Sequence, residues 1–166
     1  MKLNKILVMG ALIGGSALGF SNHAQATDAT GTATAQIRAA ITLTEDTGMD
    51  FGIIVADPTG DTVSIDTAGA VTSTGASTFS GTSSAGGFTA TGDTLSAVTI
   101  SFSTGDVLTG PGADMALSGL DHDAGAAPSF DAAGDLDFDV SATLAVGASQ
   151  TAGTYNGTYT ATVDYQ

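Results

Sequence analysis

The chain contains no cysteine and no tryptophan, only three prolines, and only three basic residues in 166. Without cysteine there is no lipobox and no disulfide, so an exported form would depend on its hydrophobic core and its ladder hydrogen bonds. The shortage of lysine and arginine is set against 17 acids and a net charge of −14. Such a surface repels phosphate, which argues against nucleic acid and anionic membrane as partners. Lys2 and Lys5 both precede residue 26, and removing them takes the charge from −14 to −16 and leaves Arg38 as the one basic residue. Lysine-based isopeptide cross-links are then chemically impossible. Helical periodicity is missing beyond the first 26 residues, and no repeat of 20–50 residues is visible.

What is present is small, apolar and regularly spaced. Hydrophobic residues make up 42% of the chain, too many and too ordered for a disordered tract. Small side chains on alternating segments, separated by Gly-rich turns, point to an all-β sandwich. Residues 1–26 read as a signal peptide. Lys2 and Lys5 form its positive start, Ile6–Phe20 its apolar stretch, and Ala24 and Ala26 flank the cleavage site. The apolar stretch is too short to span a bilayer comfortably. The expectation is an exported protein with one domain over 27–166, found at the cell surface or outside the cell, and not inserted in a membrane after cleavage.

Strand signals follow one another along that domain. Gly31–Leu43 alternates, with Ala33, Ala35, Ile37, Ala39 and Ile41 on one face. Thr44–Met49 reads as a polar connection. Asp50–Val55 is a short strand, Thr62–Asp66 carries Val63 and Ile65 inward, and a weak strand surrounds Val71. Thr74–Gly87 reads as loop plus an edge strand at Phe79. Phe88–Thr91 and Ala97–Ser103 are strands separated by Gly92-Asp93, and Met115 and Leu117 mark another. Asp121–Gly134 reads as a loop. Leu136–Val146 alternates without fault, and the chain closes on Tyr155–Tyr165, where Tyr155, Gly157, Tyr159, Ala161, Val163 and Tyr165 share a face.

Three landmarks recur together: the alternating stretch after the signal, Asp50-Phe51-Gly52 with its apolar run, and Ala152-Gly153-Thr154-Tyr155 before the last strand with its penultimate Tyr165. Together they resemble a bacterial family, known as a domain of unknown function, of small exported β-sandwich proteins. They are similar also to the spore-coat-protein-U-like subunits of archaic chaperone–usher pili. The absence of cysteine departs from those subunits, which commonly carry a disulfide near the first strand. The resemblance implies an immunoglobulin-like sandwich, lacking one strand, that assembles by β-strand addition. It implies a periplasmic chaperone as partner and self-association into fibres. Ala33, Ala35, Ile37, Ala39 and Ile41 would form the donor face, and Gly153, Tyr155, Tyr159, Val163 and Tyr165 would line the receiving groove. In a self-complete sandwich the same N-terminal run would be an internal strand. The protein would then be a secreted binding module for calcium or glycan.

No enzyme chemistry or cofactor is expected. Asp135, Asp137 and Asp139 lie on the polar face of one strand, with Asp131 nearby. A calcium ion needs several converging oxygens, and a strand spreads its carboxylates along a line. Val140 stands where an EF-hand loop requires glycine, so these acids read as a solvated face, with a weak calcium site as the other reading. His122, between Asp121 and Asp123, has no nucleophile signature beside it and reads as an idle loop histidine.

Overall fold

A computed structural model describes residues 27–166; the signal-peptide reading, with Ala24 and Ala26, lies outside them. The alternation in the last quarter of the chain builds the central strand, β10 (Asp135–Val146). Phe138, Val140, Ala142, Leu144 and Val146 are all buried, as a period of two requires of a strand with one face on a core. One edge of β10 pairs first with β6 (Gly86–Thr91) and then with β3 (Asp61–Ile65). The other edge pairs with β9 (Met115–His122). β1 (Thr42–Thr47) extends the sheet beyond β6, β4 (Val71–Ser73) beyond β3, and β8 (Val107–Leu108) beyond β9. All these pairs are antiparallel.

A second sheet holds β7 (Val98–Phe102) and β11 (Ala161–Tyr165), and a small ribbon holds β2 (Ile53–Val55) and β5 (Thr78–Ser80). Val98 and Val163 from the second sheet pack with Ala90, Phe138 and Val140 from the first, with Phe130 completing the cluster. A neighbouring cluster gathers Val63, Ile65, Met115, Leu117 and Leu144. Full burial of each such side chain contributes about 1.5–3 kcal/mol, so β10, which feeds both clusters, carries much of the fold.

Setting aside the inserted β2–β5 and β8, six strands remain. They are arranged β1-β6-β10-β9 in one sheet and β7-β11 in the other. Counted in chain order, this is first-second-fifth-fourth facing third-sixth. That is the order of an immunoglobulin sandwich whose second sheet would normally have a seventh strand beside the sixth. Among the described residues nothing fills that position.

Several expectations are corrected. Residues 31–41 form no strand. They are exposed up to position 40, and the first ladder begins at Thr42. Their alternation is built mostly from Gly and Ala, which bury little and favour strands weakly, and an isolated strand has nothing to pair with. The polar stretch taken as a connection is instead most of β1, an edge strand with an irregularity between Glu45 and Thr47. β9 runs on to His122, into the expected loop, because it pairs with β10 up to Val140. The ladder of the last strand covers only Ala161–Tyr165. Upstream, Asn156 makes an isolated bridge to Thr109, and Gly157 lies so close to the Val107 carbonyl that a side chain there would collide with it.

Candidate functional site

The open edge belongs to β11. Ser103 N–H donates to Thr160 C=O, and Gln166 N–H donates to Ala97 C=O. Hydrogen-bonded pairs alternate along an antiparallel ladder, so Thr160, Thr162, Asp164 and Gln166 direct their backbone groups toward β7. Ala161, Val163 and Tyr165 therefore direct theirs the other way. Among the described residues β11 has β7 as its single ladder partner, and that outer row stays without a strand. Ile41, Leu43, Met49, Phe88, Tyr159 and Tyr165 are half-buried against the second cluster, to which Val163 of β11 belongs.

Each end of this edge is marked by a tyrosine seated on a glycine. At the C-terminal end, the Tyr165 hydroxyl accepts from Asp93 N–H at 2.7 Å and donates to Ala39 C=O at 3.0 Å. Ala39 N–H donates to Asp93 Oδ1 at 2.9 Å. The Arg38 guanidinium carbon lies 4.9 Å from the centroid of the Tyr165 ring, a cation–π contact. Gly92 makes room for this: a Cβ there would come within 2.5 Å of Phe130 and 2.6 Å of the Tyr165 hydroxyl. At the other end, the Tyr159 ring meets Phe88 edge-on at 6.0 Å, and its hydroxyl is buried against Gly86 with no hydrogen-bond partner among the described residues. Burial, with the nearby Glu45 charge adding to it, pushes the Tyr159 phenol up to about 12.

The structure distributes the expected strand-exchange residues unevenly. Tyr159, Val163 and Tyr165 lie along the open edge. Gly153 and Tyr155 do not: they clasp the turn at residues 110–112. Gly153 packs against Pro111, while Tyr155 covers Gly110 and Gly112 and donates its hydroxyl to Thr151 C=O at 2.8 Å. On the donor side, Ala33 and Ala35 are exposed and Ile37 is 93% exposed, whereas Ile41 is half-buried in its own sandwich. Asp93, Gly92 and Arg38 were not foreseen as partners of Tyr165. The Gly-Asp pair reads as a turn from sequence, and only the tertiary fold brings it to the tyrosine.

The acids of the calcium reading are separated. Asp135, Asp137 and Asp139 are exposed along the outer face of β10. The Thr89 hydroxyl, with its one proton, lies 2.7 Å from both Asp137 Oδ1 and Asp46 Oδ2. Asp131 accepts Asp135 N–H and Ala133 N–H in its own loop, which holds its carboxyl below the usual range. His122 sits between Phe102 and Phe138, at ring distances of 6.2 and 6.1 Å, with Nδ1 buried and without a hydrogen-bond partner among the described residues. It borders a depression of about 440 Å³, lined also by Thr99, Ile100, Asp121, Pro128 and Gln166. The His122 backbone N–H donates to Asp121 Oδ1 at 2.8 Å, and among the described residues no serine hydrogen-bonds to the imidazole.

The family described as a domain of unknown function (DUF4402) matches residues 41–165, and the chain belongs to it. No curated protein and no solved structure matches. The matched span begins at Ile41, where the chain first becomes half-buried, and covers every strand described above.

Proposed function

We propose that this member of the DUF4402 family is a non-enzymatic, exported subunit of a surface fibre, assembled by β-strand addition. The single observation that carries the reading is the unfilled seventh position beside β11, with the outward backbone row of Ala161, Val163 and Tyr165. An exposed strand edge is a template for another chain, and folds that leave one open have to manage it. A strand-free segment with alternating Ala33, Ala35 and Ile37 supplies a matching donor. Main-chain pairing would provide affinity, and the alternating side chains would provide register. A periplasmic chaperone would cover the same edge in transit, and cleavage after Ala26 would start the exported chain at Thr27.

Ile37→Asp tests this reading. The variant should fold like the wild type, since Ile37 is 93% exposed, but should not form the heat-resistant polymers that the wild type forms. A wild-type chain that purifies as a monomer without a chaperone, and never polymerises, overturns the reading. That result would favour the self-complete binding module, for which the depression beside His122, Asp121 and Gln166 is the supporting feature.

A further inference from the structure

We infer that Tyr165, Asp93 and Arg38 form a latch that fixes where the exchanged segment ends. Residues Thr27–Ile37 pass to a second copy of this chain, and everything from Arg38 onward stays with its own sandwich. The inference rests on the strand-addition reading and sharpens it. The argument turns on Ala39. A residue at a hydrogen-bonded position of a foreign antiparallel ladder turns both its N–H and its C=O to that ladder, and Ala39 is not free to take such a position. Both groups of Ala39 are already engaged at home, N–H with the Asp93 carboxylate at 2.9 Å and C=O with the Tyr165 hydroxyl at 3.0 Å. The neighbours agree. Arg38 lies on the face of the Tyr165 ring, Ile41 is half-buried against the second cluster, and Thr42 opens the β1 ladder opposite Thr91.

The tyrosine itself is held from behind. Its hydroxyl takes Asp93 N–H at 2.7 Å, and its ring meets Phe130 edge-on at 5.9 Å. Phe130 is 1% exposed, so the tyrosine ring is backed by the core, while its bonds to Ala39 lie at the surface. Ile37 is the last apolar residue before the latch and is 93% exposed, which makes it the innermost side chain available to a neighbour. On the receiving copy the same latch bounds the open edge, since Tyr165 is the last residue of β11. One group of side chains thus closes the acceptor site at one end and releases the donor segment. Tyr165 is a positioning residue in this scheme. Gly92 is required for it, because any side chain there would displace the hydroxyl or Phe130.

Residue-resolved hydrogen exchange on the full chain, free and assembled, tests the latch. The Ala39 amide should be protected in both states, and the amides of Ala33, Ala35 and Ile37 only in the assembly. Asp93→Ala should speed Ala39 exchange in the free chain by roughly tenfold, the effect of one lost charge-assisted hydrogen bond, while Asp93→Asn, which keeps an acceptor, should restore much of the protection. If Ala39 exchanges freely in the monomer and gains protection only on assembly, the latch is refuted and strand addition stands. If Ala39 is protected but no residue from 31 to 37 ever becomes so, strand addition fails and the proposed boundary fails with it.

Discussion

Asp61 opens β3 with its carboxylate turned inward, 9% exposed, under the turn that follows β4. It accepts Gly75 N–H at 2.7 Å, the Thr74 hydroxyl at 3.0 Å and Ser77 N–H at 3.2 Å. The Ser77 hydroxyl is the largest of the influences that hold its carboxyl well below the usual carboxylate range, and Thr74 and Gly75 add to it. A folded-state pKa below the unfolded value of about 3.9 stabilises the fold above that pH, and the stabilisation is lost as pH falls below it. Urea midpoints should therefore drop between pH 5 and strongly acid conditions, and Asp61→Asn should be less stable at neutral pH and lose part of that acid dependence. Tyr159 has the opposite sign. Its phenol is raised to about 12, so its neutral form stabilises the fold below the unfolded value of about 10, and stability falls as pH rises from there through 12. The hydroxyl is also buried and unpaired, and such a group costs about 1–3 kcal/mol. Tyr159→Phe should raise the thermal midpoint at neutral pH and remove part of the alkaline loss; a destabilised variant would show that the hydroxyl has a partner in solution.

Two alternating stretches, residues 31–41 and β10, behave differently as elements, and the difference is informative. β10 is legible from sequence because its inward positions are Leu, Phe, Val and Leu, large enough that a core must form around them. Val63, Ile65, Met115 and Leu117 were legible for the same reason. Residues 31–41 show an equally regular pattern, but in Gly and Ala, and periodicity does not say whether a strand has a partner. β1 was missed because it is an edge strand, rich in Thr and acids on its solvent side, and such a strand looks like a loop in a single sequence. Of the candidate site, the tyrosines of the last strand were readable. The role of Gly92-Asp93 was not, since it depends on a partner 72 residues away. Ile41 and Ile37 then give the element-scale prediction. Ile41→Asp removes a half-buried side chain and places a carboxylate against the second cluster, so it should cost about 2 kcal/mol or more in the isolated monomer. Ile37→Asp should stay within about 0.5 kcal/mol of wild type, as an exposed substitution does. Equal losses in denaturant melts of the two variants would mean that both isoleucines are packed in the monomer.

At the scale of the whole molecule, the distribution of charge sets the conditions for assembly. The acids are concentrated on solvent faces: Asp135, Asp137 and Asp139 on β10, Asp46 on β1, and Asp164 on the outward side of β11. The inward side of β11 is apolar, so what two copies would bury on strand addition is largely uncharged. Yet each copy carries a large negative charge, and Arg38, the one cation beyond residue 26, lies against its own Tyr165. Approach of two copies is therefore opposed by long-range repulsion that the docked contact itself does not include. Salt should remove that barrier without weakening the contact. Between about 0.01 and 0.15 M ionic strength the Debye length shrinks from about 30 to about 8 Å, shorter than the distance between the acidic faces of two docked sandwiches, each about 10 Å thick at its core. The rate of polymer growth, followed by light scattering, should rise on the order of tenfold or more over that range, while the heat resistance of finished polymers changes little. Growth that slows with added salt would show that opposite charges drive the encounter, and would move the contact away from the apolar edge of β11.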